Sequence, residues 1–179
     1  MLRVGTVGTS SIMRTIQEAI RLTDGMECRV AYSRTEEQGR AFAAEMGVPE
    51  HCTDYAAMLE RSDLDLIDIA SPNRFHVEQA LAALEHGKHV IVEKPAAVTR
   101  GDVQRLIDAA RANGVYFFEA ITTLFMPQYE ACRLLLPKLG RIEQAHITYA
   151  QYSSRYDAYL RGENPNIFNP AMQAGALND

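Results

Sequence analysis

The tripeptide Glu93-Lys94-Pro95 follows an apolar run, His89-Val90-Ile91-Val92, that reads as a strand. Ligands of open parallel sheets gather at the carboxyl ends of the strands, so this lysine stands where it can reach one. During hydride transfer from a carbinol, something must take the hydroxyl proton. A lysine whose pKa is lowered by burial and by a nearby positive nicotinamide ring can do so. Glu93 could orient the ammonium group, and a functional turn raises the odds of a cis Lys94-Pro95 bond above the usual share of about 5–6%. A surface Glu-Lys pair after a strand is the plainer alternative.

Three further clusters could hold a dinucleotide. Gly8-Thr9-Ser10-Ser11-Ile12 sits where a first strand turns into a helix, which is where a pyrophosphate meets backbone N–H groups and the positive helix end. Ser10 and Met13 occupy the places of the second and third glycines of the usual fingerprint, so serine hydroxyls would replace some of the close backbone approach. The second strand ends in Tyr32-Ser33-Arg34-Thr35, without the acid that normally accepts hydrogen bonds from the ribose of NAD. Ser33 and Arg34 offer a hydroxyl and a planar guanidinium fork instead, which suits the 2′-phosphate of NADP, with NAD as the alternative. Ala70-Ser71-Pro72-Asn73 ends a later strand at the same rim, and His76 opens the helix after it. Both are expected at the cofactor, although a structural histidine is an equal reading for His76. Tyr149, Tyr152, Tyr156 and Tyr159 could wall a sugar or simply pack.

These clusters need a scaffold that brings positions 8, 34, 72 and 94 to one crevice. Short apolar runs alternate with segments of helical period, the pattern of repeated strand-helix-strand units around a doubly wound parallel sheet. Strands are expected at Leu2 to Val7, Met26 to Tyr32, near His51 to Thr53, at Leu64 to Ala70, at His89 to Val92 and at Val115 to Phe118. Between them, Ile12, Ile16, Ala19 and Ile20 mark the inward face of one helix, and Phe42, Ala43 and Met46 that of another closed by Gly47. A small helix from Tyr55 is expected, then one carrying Val77, Ala80, Leu81 and Leu84 and stopped by Gly87. The last has Thr99 and Asp102 as capping pair and Val103, Leu106, Ile107 and Ala110 inward. The pattern changes near Pro127. A helix from about Gln128 to Leu136 is followed by an alternating stretch, Arg141 to Ser153, that predicts a strand of a different sheet, and by a loop from Asp157 to Asp179. Residues 1–120 are thus expected to form the nucleotide-binding domain, and 121–179 to begin an α+β domain with a mostly antiparallel sheet.

Composition narrows the class. The chain has 179 residues, 47% of them hydrophobic, enough for one full domain and part of a second. A net charge of −5 with no basic block argues against nucleic acid as partner. Cys28, Cys52 and Cys132 lack the spacings of a metal site or disulfide framework, and no run is long enough to span a bilayer. A cytoplasmic protein without metal or membrane contact is expected.

Taken together, the residues resemble the Gfo/Idh/MocA oxidoreductases, the family of glucose-fructose oxidoreductase and inositol dehydrogenase. The matching pieces are Val4-Gly5-Thr6-Val7-Gly8-Thr9, Ser33-Arg34, Ile69-Ala70-Ser71-Pro72-Asn73 with His76, and Glu78-Gln79-Ala80-Leu81 through Gly87-Lys88-His89-Val90. Glu93-Lys94-Pro95, Glu119-Ala120 and Gly175-Ala176-Leu177-Asn178-Asp179 complete them. The resemblance implies a Rossmann domain for NAD or NADP and a second domain whose open sheet serves substrate and oligomer contacts. It also implies oxidation or reduction of a sugar, polyol or related carbonyl compound. Lys94 then takes part in catalysis, and Asp179 matches an aspartate that the second domain supplies. Two departures stand out. Leu124-Phe125-Met126-Pro127 lacks the arginine that often precedes the Phe-x-Pro step, and family members run to nearly twice this length, so a shortened chain is expected, with loss of activity as one consequence. A nucleotide-binding sensor or scaffold without turnover is the alternative function, and a fragment whose open strand pairs with another copy is a third.

Overall fold

The computed structural model describes residues 1–148 and 150–175. Its centre is a six-stranded, wholly parallel sheet in the order β3-β2-β1-β4-β5-β6. The strands are β1 (Leu2–Val7), β2 (Met26–Tyr32), β3 (Glu50–Cys52), β4 (Leu66–Ile69), β5 (His89–Val92) and β6 (Phe117–Glu119). This is the Rossmann arrangement, in which the chain leaves β3 at one edge and returns beside β1. The helices between the strands are α1 (Ser11–Leu22), α2 (Glu36–Met46), α3 (Tyr55–Leu59), α4 (His76–Glu85) and α5 (Arg100–Ala112).

Successive strand residues face opposite sides, so each strand feeds two cores. Val7, Ile67, Ile69, Val90 and Val92 pack with Ala80, Leu84, Leu106 and Ala110 of α4 and α5. On the other face Met13 of α1 packs with Phe42, Ala43, Ala31 and Ala70, while Ile20 meets Val4 and Leu66. The buried stripe of α1 is therefore Met13, Gln17 and Ile20, a spacing of four and three. Of the expected stripe, Ile20 is buried and Ile16 packs half-buried against the core, whereas Ala19 is exposed and Ile12 turns outward at the carboxyl rim, 42% exposed. Met13 is fully buried where the fingerprint would have its third glycine, and the small Ala31 and Ala70 opposite make room for it. Gly47 closes α2 with φ 69°, as expected, and Thr99 accepts from Asp102 N at 3.1 Å at the start of α5.

Beyond β6 the structure departs from the sequence reading. A helix α6 (Pro127–Leu135) forms with proline in its first turn, but no residue in it is buried. The strand expected over Arg141 to Ser153 does not form: residues 142–148 and 150–153 carry no regular structure, and no partner strand lies beside them among the described residues. Alternation supplies a strand with one apolar face, but a lone strand cannot satisfy its backbone groups or bury that face. The stretch after Asp157, expected as loop, contains a short helix α7 (Tyr156–Leu160) and 3-10 turns at Asn166–Phe168 and Pro170–Met172. Among the described residues, no helix is long and apolar enough to cross a membrane.

Candidate active site

A cleft of about 690 Å³ runs along the carboxyl rim of the sheet. It touches Ser33 and Arg34 after β2, Gly8, Thr9, Ser10 and Ile12 after β1, Ala70, Ser71, Pro72, Asn73 and His76 after β4, and Glu93 and Lys94 after β5. The four loops singled out in the sequence thus meet in one crevice. From β2 to β5 is three strand spacings, roughly 14 Å, the span of an extended dinucleotide with its pyrophosphate over β1. Ser11 and Pro95 do not line the cleft. Lining residues that the sequence reading missed include Tyr32, Gln38, Phe75, Gln79 and Asn166.

The turn after β1 is built by its glycine. Gly8 has φ 117°, and a Cβ there would lie 2.8 Å from the Ala70 carbonyl oxygen, so no side chain fits. Gly8 N donates to Tyr32 O at 3.1 Å, which ties the turn to β2, and Arg14 Nη1 donates to Thr9 O at 2.9 Å. Arg14 is itself anchored on Glu45 at 2.7 Å. At the start of α1, Ser10 makes no side-chain cap and the first turn holds no acid. By contrast α2, α3 and α5 are capped by Thr35, Asp54 and Thr99. The first N–H groups of α1 are therefore without a side-chain cap where the helix begins beside the cleft, an arrangement that fits a phosphate.

At one end of the cleft Ser33 is 4% exposed and its N–H donates to Cys52 O at 3.0 Å, which fixes the hydroxyl beside the exposed Arg34. Arg34 forms no ion pair among the described residues. Its donor fork and the hydroxyl suit a phosphate monoester.

At the other end the Lys94-Pro95 peptide is cis, as the sequence suggested. Glu119, at the end of β6, accepts from Ala96 N at 2.7 Å and so holds the lysine loop against the sheet. That role went unread in the sequence, where Glu119 figured only as part of a family match. Lys94 is exposed at the rim, so the burial expected for it is not found among the described residues. Both ring nitrogens of His76 face main-chain carbonyls, Ser71 O at 2.7 Å and Pro95 O at 2.9 Å. Gln79 accepts from the Ser71 hydroxyl at 2.6 Å.

Asp68 is the second residue the sequence reading passed over, in a strand noted only for its apolar residues. It is 5% exposed on β4, with Oδ1 lacking a hydrogen-bond partner among the described residues. Burial and, secondarily, the negative charge of Glu93 push its carboxyl up to about 7. A lone acid within an apolar run was the available signal.

Tyr152, Tyr156 and Tyr159 pack with each other and with Phe168, at centroid distances between 5.2 and 6.3 Å, and do not line the cleft. Tyr149, and Asp179 with the residues just before it, lie outside the described residues.

The family described as oxidoreductases with an NAD-binding Rossmann fold matches residues 2–121. The chain is 40% identical over its whole length to the oxidoreductase YgjR of Escherichia coli strain K12. It is 36% identical to the scyllo-inositol 2-dehydrogenase (NADP(+)) IolU of Bacillus subtilis strain 168. It spans 55% of the length of each of these relatives. Among solved structures, biliverdin reductase from Synechocystis sp. PCC 6803, in complex with biliverdin and NADP+, matches with a TM-score of 0.70 at 30% identity. That match covers 78% of this chain and 44% of the other. The 3-ketoreductase KijD10 of Actinomadura kijaniata, with NADP and TDP-benzene, matches with a TM-score of 0.72 at 30% identity over 76% of this chain and 42% of its own.

Proposed function

Because this chain belongs to the Gfo/Idh/MocA oxidoreductases, we propose that it is the cofactor-holding part of an NADP-preferring dehydrogenase or reductase acting on a hydroxyl-bearing carbon of a sugar or polyol. Residues 1–120 form the cofactor module and 121–179 begin the substrate-facing domain. The observation that carries this reading is the single cleft joining Arg34, the uncapped start of α1 and Lys94.

Ser33 and Arg34 hold the 2′-phosphate. The N–H groups around Ser10 and Ser11 hold the pyrophosphate, with the turn kept open by Gly8 and braced by Arg14. Ala70 to Asn73 and Glu93 to Pro95 flank the nicotinamide end. The cofactor supplies or accepts the hydride. Lys94 takes the hydroxyl proton as an alcohol is oxidised and returns it in reduction. The family aspartate at Asp179 is proposed as its partner in substrate binding. The likeness to the scyllo-inositol 2-dehydrogenase (NADP(+)) IolU supports NADP and a polyol substrate, and the NADP bound to KijD10 supports the same cofactor.

Fluorescence titration tests the cofactor half: NADPH is expected to bind at least tenfold more tightly than NADH. Equal affinities overturn the NADP assignment. With scyllo-inositol as probe substrate, turnover that survives in Lys94→Ala removes the lysine from the mechanism, whereas NADPH binding without turnover in the unaltered protein leaves a nucleotide-binding module.

A further inference from the structure

His76 opens α4 at the carboxyl end of β4 and is 1% exposed. Its ring stands between two loops that come from neighbouring strands. Nε2 lies 2.7 Å from the Ser71 carbonyl oxygen and Nδ1 2.9 Å from the Pro95 carbonyl oxygen. Carbonyl oxygens only accept, so each bond requires an N–H on the ring nitrogen that faces it, and the two bonds together require N–H at both nitrogens. The backbone ladder between β4 and β5 reaches Ile69 and Val92, followed by a bond from Glu93 N to Ile69 O at 2.8 Å. Past that point the two chains leave the sheet, one toward α4 and the other toward α5, and the imidazole continues the link between them.

We propose that His76 is a positioning residue that clasps the loop after β4 to the loop after β5, and so fixes the nicotinamide end of the cleft and the place of Lys94 in it. This rests on the cofactor reading above. Each loop has a second anchor, so the clasp closes a rigid frame. The Ser71 hydroxyl donates to Gln79 Oε1 at 2.6 Å, and Ala96 N donates to Glu119 Oε1 at 2.7 Å. His76 therefore joins the Ser71–Gln79 anchor on α4 to the Glu119 anchor on β6, across the end of β5. Arg34 and Ser33 lie at the opposite end of the cleft, just after β2, and share none of these bonds. A loss of the clasp should consequently be felt by the nicotinamide half of a ligand and not by the adenosine 2′-phosphate half.

Calorimetric titration with 2′,5′-ADP, which fills only the adenosine half, and with NADPH separates the two. His76→Phe keeps a ring of similar size without a donor, and His76→Gln keeps a donor. His76→Phe is expected to bind 2′,5′-ADP within twofold of the unaltered protein while losing at least tenfold for NADPH, and His76→Gln to recover most of that loss. Equal weakening with both probes, or no weakening with either, overturns the clasp. Should His76→Phe not fold, proton NMR of the unaltered protein decides: a slowly exchanging imidazole N–H resonance must shift with NADPH and stay in place with 2′,5′-ADP, and any other pattern overturns the proposal. An unaltered protein that binds no NADPH overturns the cofactor reading and the clasp with it, whereas normal binding with an unaffected His76→Phe overturns the clasp alone.

Discussion

β5 carries a lysine at each end, and the two lysines lead different lives. Lys88, at the amino rim, is 8% exposed and spends its ammonium on the carbonyls of Arg61 at 2.6 Å and Leu64 at 2.9 Å. Lys94, at the carboxyl rim, is exposed in the cleft. The arginines divide in the same way. Arg3 and Arg61 at the amino rim are locked onto Asp65, Glu50 and Asp63 at 2.6 to 2.7 Å, and Arg3 holds the Asp65 carboxyl well below its usual range. Arg34 at the carboxyl rim has no such partner among the described residues. Lys88, Arg3 and Arg61 at the amino rim thus close the structure, whereas at the carboxyl rim Arg14 braces the turn after β1 and Arg34 and Lys94 line the cleft. The reason lies in the parallel sheet, whose connecting segments enter at one rim and leave helix starts and loop N–H groups at the other.

The contrast can be broken at several points. The largest effect is expected at Lys94: replacement by alanine should lower turnover of scyllo-inositol with NADP+ by about 10³-fold, with NADPH affinity changed less than twofold by titration. An equal loss of affinity would mean that the lysine belongs to cofactor binding alone. Lys88→Met should do the reverse, lowering unfolding stability by about 2–4 kcal/mol because two carbonyls lose a charged donor, with NADPH affinity intact. Arg34→Ala is expected to cut the preference for NADPH over NADH by roughly 10- to 50-fold, about 1.4–2.3 kcal/mol, without changing the denaturation midpoint of the unliganded protein.

The smallest effect concerns Asp68, whose folded pKa of about 7 stands above the ordinary 3.8. The folded state therefore keeps a proton that the unfolded chain releases, and stability falls as pH rises from about 4 to about 7, then levels off. Asp68→Asn should flatten that fall and add roughly 1–2 kcal/mol at pH 8, measured by urea unfolding at several pH values. An unchanged pH profile would show that Asp68 is ionised in the folded protein.

Much of the sheet was legible in the residues. Apolar runs announced the central strands β1, β4 and β5, since burial on both faces leaves a hydrophobic run that few other elements share, whereas the edge strand β3 is the polar tripeptide Glu50-His51-Cys52 and was read only as a short strand near His51 to Thr53. Gly8, Arg34 and Lys94 were legible as site residues because each follows directly on such a run. Gln38, Gln79 and Asn166 were not, because they lie on helices or turns whose approach to the cleft depends on how those elements pack. Arg141 to Ser153 shows the converse: its alternation is clear, yet no strand forms without a neighbour to pair with.

The sequence by itself determined the alternation of strands and helices, and hence the parallel sheet and the rim where chemistry must gather, because periodicity and turn residues are local properties. Only the tertiary structure decided which cations are paired, that the buried Oδ1 of Asp68 has no hydrogen-bond partner among the described residues, and that His76 stands between two carbonyls. Those outcomes depend on atoms brought together from distant parts of the chain, and spacing along the chain does not encode their distances.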